Sequence, residues 1–368
     1  MKIAILGTRG IPNHHGGFEQ FAEFFSVYLA KNNHDVYVYN SSSHPYQDKQ
    51  YKGVKIIHCS DPEDKVGTIG QFIYDLNCIL DSRKRKFDIL LQLGYTSNSI
   101  WGKLLPKSSI VITNMDGLEW KRAKYSKPVQ RFLKYAEKRA IKTSNYLVSD
   151  SIGIQKYLKE EYKVESNYIA YGATVFKDPD ISVLKEYNLK PYTYNMLIAR
   201  LEPENNIEII LDGVALANKN TPFLVVGKHN TNKFGNYLKK KFRDTNIIFI
   251  GGIYNLNHLN NLRYYSNLYF HGHSVGGTNP SLLEAMASNA LLIAHNNTFN
   301  KSILRNNAFY FKNKMHVKNY IETVNKSEHQ TKLENCFNTI KTEFSWELIN
   351  KKYLNYFNEC CFKHKQRT

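Results

Sequence analysis

KIAILGTRGIPNHHGGFEQFAEFFSVYLAKNNHDVYVYN, residues 2–40, contains three elements whose order decides the fold. KIAIL (Lys2–Leu6) is a short, continuous apolar run, as expected of a strand covered on both faces. A glycine-rich loop, GTRGIPNHHGG, follows it. FEQFAEFFSVYLAKNNH then places Phe18, Phe21, Ala22, Phe25 and Leu29 on one helical stripe, and DVYVYN returns as a second strand. Strand, loop, helix and strand make a βαβ unit, and such units build parallel sheets.

The same grammar runs outward from this stretch. FDILLQLG (87–94), SIVITNMDG (109–117) and NYLVSDS (145–151) read as buried strands ending in loops. The rhythm breaks around SNYIAYGATVFKDPD, where a linker is expected. It resumes with YNMLIAR (194–200), PFLVVGK, NIIFIGG, NLYFHGH and ALLIAHN (290–296). SWELINKKYLNYFNECC brings Trp346, Ile349, Tyr353 and Phe357 to one face of a closing amphipathic helix. The fold class expected is α/β: two facing, Rossmann-like, doubly wound domains. Ligands of such sheets bind beyond the carboxyl ends of the strands, which directs attention to loops 7–17, 94–98, 114–120, 200–206, 227–230, 251–255 and 271–280.

Composition narrows the function classes. The 368 residues suffice for two domains with separate cores, and no apolar run approaches the ~20 residues of a membrane-spanning helix. MKIAILGTRG does not read as a signal peptide, and five scattered cysteines suggest reduced thiols, so a cytoplasmic location is expected. Fifty Lys and Arg against 32 Asp and Glu give a net charge of +18, which favours anionic partners. Much of that surplus lies in WKRAKYSKPVQRFLKYAEKRAIK (120–142), where Trp120, Phe132, Leu133 and Tyr135, with Leu118 just ahead of the segment, interleave with cations. That composition suits the inner face of an anionic membrane.

HGHSVGGTNPSLLEAM (271–286) is the most informative loop. Asn279 is a good N-cap and Pro280 suits the first helical position, so unpaired N–H groups and a positive dipole end would open on the cleft. Gly276 and Gly277 would let a ligand approach the backbone, with Thr278 beside them. These features favour a bound phosphate, and Glu284, one turn inside the helix, would accept hydrogen bonds from neighbouring hydroxyls. A ribose next to a diphosphate has this shape. Arg200, at the end of the first strand of the same half, would supply planar charged donors.

GTRGIPNHHGGFEQFAE, TNMDGLEWKR, ARLEPENN and HGHSVGGTNPSLLEAMA resemble, in order and over essentially the whole chain, the retaining glycosyltransferases of family 4. The bacterial branch that includes rhamnosyltransferases of surface-polysaccharide synthesis is most similar. The resemblance implies the GT-B fold: an acceptor-side domain over 1–172, completed by a helix within 346–368 that crosses back to it, and a nucleotide-sugar donor domain over 173–345. It implies that backbone N–H groups at Gly16 and Gly17 meet the donor diphosphate, that Arg200 neutralises the leaving group and that Glu284 holds the ribose. Asp116 stands where many members place a histidine near the donor sugar, which suggests a hydroxyl contact or a catalytic carboxylate.

Two positions depart from the family pattern. Gly276 replaces the first of two glutamates spaced seven residues apart, so the sugar specificity is expected to differ. Asn205 replaces a lysine, which leaves Arg9 or Lys228 to supply the missing charge. His14, His273 and Tyr95 are candidate acceptor or sugar contacts, with His15, His271 and Tyr254 nearby. No Asp-x-Asp stands at a strand end in a setting fit for Mg²⁺, so neither metal nor cofactor is expected. The partners expected are a nucleoside-diphosphate sugar, with L-rhamnose the first choice, and a saccharide acceptor, lipid-linked for preference. A dinucleotide oxidoreductase fits poorly: glycines fall at 7, 10, 16 and 17, and the second strand ends in Asn40 rather than an acid. A non-catalytic sugar-phosphate binder of the same fold is the alternative, and a nucleic-acid binder would rest on charge alone.

Overall fold

The computed structural model describes residues 1–14, 16–122, 124–230 and 232–366. The chain divides into two compact units. One comprises Met1–Lys121, Tyr125–Tyr171 and Trp346–Thr368; the other comprises Arg122–Lys124 and Gly172–Ser345.

The first unit contains strands β1 (Lys2–Leu6), β2 (Asp35–Ser41), β3 (Gln50–Tyr51), β4 (Val54–Cys59), β5 (Ile89–Leu93), β6 (Ile110–Asn114), β7 (Tyr146–Ser149) and β8 (Asn167–Tyr168). Its helices are α1 (Gly17–Lys31), the single turn α2 (Glu63–Val66), α3 (Ile69–Ser82), α4 (Lys127–Thr143) and α5 (Ile152–Tyr162). The strand order is β3-β4-β2-β1-β5-β6-β7-β8, parallel except for the β3–β4 hairpin. The chain therefore winds outward from β1 in one direction and then restarts on its other side with β5. The crevice above β1 and β5, where the winding reverses, is where ligands bind such sheets. β3 and β8 escape sequence reading because two residues are too few to show a period.

The second unit contains β9 (Asn195–Ile198), β10 (Phe223–Val226), β11 (Ile247–Gly251), β12 (Leu268–His271), β13 (Leu292–His295) and β14 (Phe309–Phe311). Its helices are α6 (Ile207–Leu216), α7 (Lys233–Lys241), α8 (Leu256–Tyr265), α9 (Pro280–Ala287), α10 (Thr298–Leu304), α11 (Lys314–Thr323) and α12 (Gln330–Glu343). The order β11-β10-β9-β12-β13-β14 is that of the dinucleotide-binding folds, with the reversal between β9 and β12. Leu197, Phe223, Val225, Phe270 and Ile293 project from these strands into one core with Leu211 and Val317 of the covering helices. Both sheets are doubly wound, as expected, although most strands are two or three residues shorter than the apolar runs that announced them.

The last helix, α13 (Trp346–Lys365), belongs to the first unit. Its expected stripe is buried: Ile349, Tyr353 and Phe357 are at most 1% exposed. The Trp346 ring stacks on Phe24 at 4.6 Å, and the Tyr353 ring lies 4.7 Å from Phe21 and 5.1 Å from Phe25. The Tyr353 hydroxyl accepts a hydrogen bond from Asn114 Nδ2 at 3.1 Å. Each of these side chains, when fully buried, contributes on the order of 1.5–3 kcal/mol, so α13 forms part of the first core.

Lys326 is an exception to the apolar interior of the second unit. Its ammonium donates to the Tyr264 carbonyl and lies 5.5 Å from the Tyr192 ring and 5.3 Å from that of Tyr264. Burial lowers its pKa from 10.5 to about 7. Between these values the unfolded chain binds the proton more tightly than the folded one, so this group makes stability rise with pH from about 7 towards 10.5. Lys326→Met removes the penalty. Chemical denaturation should find the variant more stable than wild type at pH 7, with the gap closing as the pH approaches 10; a gap independent of pH would contradict the assignment.

Candidate functional site

The loops after β9 and β12 meet where the second sheet reverses. A Cβ at Gly272 would lie 1.9 Å from the Asn205 carbonyl oxygen, so only glycine permits this approach. Asn206 Nδ2 donates to the Gly272 carbonyl at 2.7 Å. Ser274 donates to the Glu204 carbonyl twice, from its N–H at 3.2 Å and its Oγ at 2.7 Å. Asn205 Nδ2 donates to the Arg200 carbonyl at 2.7 Å. Asn205, the residue found in place of a lysine, thus ties the turn that presents Arg200.

From this clasp the chain runs to α9. Gly276 has φ +129°, a conformation that side-chain-bearing residues rarely adopt, and the space a Cβ would occupy is open. Gly277 is half-buried and Thr278 is buried. Asn279 caps the helix, its Oδ1 accepting from Ser281 N at 2.9 Å, and Pro280 takes the first position. The start of α9 therefore lies beside a backbone free of side chains, an arrangement suited to an anion.

Arg200 is exposed, and its charge acts on His273. Burial, with Arg200 adding to it, lowers His273 to about pKa 3, so the ring is neutral at physiological pH and can both donate and accept. Its carbonyl is held by Asn297 Nδ2 at 2.9 Å and Asn300 Nδ2 at 3.1 Å. His271 stacks beneath it with ring centroids 4.5 Å apart, and burial likewise holds His271 neutral. Lys228, after β10, is exposed with its ammonium 5.4 Å from the ring of Tyr254, itself an exposed residue of the loop after β11.

Glu284 projects from α9 with 18% of its side chain exposed, and Arg263 of α8 donates to its Oε2 at 2.7 Å. Arg263 gave no sign in the sequence: LNHLNNLRYY reads as a polar surface helix, and only the fold shows the guanidinium buried beneath α9.

In the first unit, Gly7 makes a similarly close approach across the reversal of its sheet: its Cβ would meet the Leu93 carbonyl oxygen at 2.3 Å. The loop that follows is tied to α1 by Glu19, whose Oε1 accepts from Arg9 N at 2.8 Å and Thr8 Oγ1 at 3.2 Å. Asn40, found where an oxidoreductase would have an acid, pairs with both backbone groups of Ile11. Gly16 is the N-cap of α1, and Gly17 begins it. The Gly16 N–H is already engaged by Asn13 Oδ1 at 3.2 Å. The His14 ring lies edge-on to His44 at 5.4 Å; His15 lies outside the described residues. Asp116, half-buried after β6, sits close enough to Tyr171 and Tyr353 that its charge, with that of Asp150, adds to the burial that pushes both hydroxyls up.

Three expectations are corrected. Arg9 is not a spare phosphate cation, because Asp61, at 2.8 Å, and Glu63 both pair with its guanidinium. Tyr95 is no acceptor contact: it is 1% exposed, its hydroxyl donating to the Gly117 carbonyl at 3.1 Å and accepting from Glu119 N at 3.3 Å. In the basic segment, Leu118 and Leu133 are core residues and Phe132 packs on Phe72 at 5.8 Å, so the apolar part of any exposed face comes from other side chains. Among the described residues no group of three His, Cys, Asp or Glu side chains could hold a metal ion.

Comparison with known proteins agrees with this geometry. Residues 185–343 match the family model described as glycosyl transferases group 1, and residues 1–174 match a domain of unknown function, DUF1972. No curated protein matches in sequence. Sucrose-phosphate synthase from Thermosynechococcus elongatus superposes with a TM-score of 0.79 at 14% identity, covering 97% of this chain and 98% of that one. A glycosyltransferase from Rickettsia africae gives 0.71 at 16% identity, with 98% of each chain covered. The Anabaena protein HepE, in complex with UDP and glucose, gives 0.74 at 14%, covering 98% of this chain and all of that one. Identities this low establish the fold, while the family match over the second unit establishes the activity class. The chain is a glycosyltransferase of the GT-B type, and its residues 185–343 match the glycosyl transferases group 1 model.

Proposed function

We propose that the second unit binds a nucleoside-diphosphate sugar at the reversal of its sheet and that the enzyme transfers the sugar to a saccharide acceptor. The observation carrying this reading is the conjunction at β9 and β12. The two clasped loops carry Arg200, the open backbone at Gly276 and the N-capped start of α9, and Glu284 follows one turn into that helix. Arg200 and the α9 N-terminus stabilise the charge that builds on the departing diphosphate, and Lys228 is the spare cation in place of Arg9. Glu284 holds the ribose hydroxyls, while neutral His273 contacts the sugar. The absence of a side chain at Gly276 enlarges the sugar pocket where relatives carry an acid, consistent with a deoxy sugar such as L-rhamnose. We take the transfer to be retaining and metal-independent. Asp116, on the first unit, anchors a hydroxyl.

A thermal-shift panel of dTDP, UDP, GDP, ADP and NAD tests the donor. One nucleoside diphosphate should raise the melting temperature by mass action, and Glu284→Ala should lose the shift. No response to any nucleotide would overturn the donor reading and favour a non-catalytic sugar binder.

The acceptor is lipid-linked in this reading, and the first unit binds the anionic inner leaflet as a peripheral protein. No described helix is long and apolar enough to cross a membrane. The supporting surface is broader than the basic segment alone. Lys127, Arg131, Lys138 and Lys142 of α4 are exposed together with Val129 and Tyr135. The Phe72–Phe132 contact joins this face to α3, where Ile69 is 66% and Ile73 38% exposed. Apolar side chains among cations suit headgroup-level binding. Vesicles containing phosphatidylglycerol should sediment the protein, with binding weakened by salt and by Ile69→Asp. Equal binding to neutral phosphatidylcholine vesicles, or none to either, would refute the surface.

A further inference from the structure

Glu284 is not an isolated carboxylate on a helix. Behind it, Arg263 is 1% exposed, and its fork is fixed on three sides. Nη2 donates to Glu284 Oε2 at 2.7 Å and to Ser281 Oγ at 3.2 Å; Nη1 donates to Asn260 Oδ1 at 3.0 Å. A second layer holds these partners. Ser288 Oγ donates to the same Asn260 oxygen at 3.1 Å and to the Glu284 carbonyl at 2.8 Å, and the Tyr269 hydroxyl shares a hydrogen bond with Ser281 Oγ at 3.0 Å. The guanidinium carbon lies 6.0 Å from the Tyr269 ring.

Burying a guanidinium is unfavourable, and an apolar side chain of similar volume would commonly pack at least as well. A buried arginine that ties α8 to one partly exposed carboxylate of α9 therefore calls for a reason beyond packing. One oxygen of Glu284 is drawn inward by a charged, planar donor, which fixes the orientation of the carboxylate plane. An unsupported glutamate on α9 would sample several rotamers and lose entropy whenever a ligand ordered it.

We propose that Arg263 is a positioning residue that sets Glu284 in the one orientation able to accept hydrogen bonds from the ribose hydroxyls of the nucleotide. It makes discrimination between ribose-bearing and hydroxyl-free nucleotides a property of the pair rather than of Glu284 alone. This inference rests on the donor reading given above, and Arg263 itself need not touch the ligand.

The test compares affinities of wild type, Arg263→Lys, Arg263→Met, Glu284→Ala and the Arg263→Met/Glu284→Ala double variant. Calorimetry measures UDP and dTDP, each against its 2′,3′-dideoxy counterpart. Wild type should prefer the hydroxyl-bearing form of its nucleotide by tenfold or more, and Glu284→Ala should reduce the preference to near unity. Arg263→Met should lose most of the preference, Arg263→Lys should be intermediate because lysine supplies charge without the fork, and the double variant should add nothing to Glu284→Ala. A lowered melting temperature with an unchanged preference in both arginine variants would show a structural role only and overturn the proposal. Should Arg263→Met fail to fold, the Arg263→Lys ratio decides. Wild type binding neither of these nor GDP nor ADP would instead overturn the donor reading beneath it.

Discussion

Gly272 stands at the end of β12, where the loops after β9 and β12 press together so closely that a single methyl group would collide with the Asn205 carbonyl. The geometry of the candidate site depends on that approach. It lets Asn206 and Ser274 lock the two loops backbone to side chain, which fixes where Arg200 leaves β9 and where the chain enters α9. Groups that stabilise a leaving diphosphate work best when already oriented, because reorganisation during reaction adds to the barrier. Here the orientation comes from backbone contacts rather than from long side chains.

The first unit repeats the constraint at Gly7 and uses it for different chemistry. Its loops after β1, β4 and β5 gather Arg9, Asp61, Glu63 and Ser97 with Asp75 of α3. Burial pushes Asp75 up to about pKa 6, while the Ser97 hydroxyl, 2.5 Å away, favours its charged form. The corresponding loops of the second unit expose Arg200 and Lys228 instead. Two sheets wound in the same sense thus pair their loop charges internally on one unit and leave cations exposed on the other.

The sequence discloses those features that depend on near neighbours. The βαβ unit of residues 2–40 is visible because strand, turn and helix each signal themselves within a few residues, and Asn279–Pro280 announces its helix for the same reason. Features set by distant partners are hidden. Nothing in GTRG says that Arg9 will meet Asp61 and Glu63, and nothing in QLGY says that Tyr95 will turn inward to Gly117. Arg263 is the clearest case, since its burial is decided by α9, which follows it after a strand and a loop. The basic face was half legible: the cations of α4 are where their spacing puts them, but the exposed Ile69 and Ile73 belong to α3, which no charge pattern marks.

The place of α13 in the first core also governs how the chain reaches its fold. Asn114 and Tyr353, which bond inside that core, are separated by 239 residues, and the whole second unit lies between them. During synthesis, Phe21 and Phe25 emerge long before the helix that covers them. The first sheet must then persist with an uncovered apolar face while the second unit is made, a state open to aggregation or chaperone capture. Folding the second unit first would shorten the effective loop that α13 has to close, lowering its entropic cost. The order of assembly favoured by this topology is therefore the reverse of the order of synthesis: the unit made second is completed first.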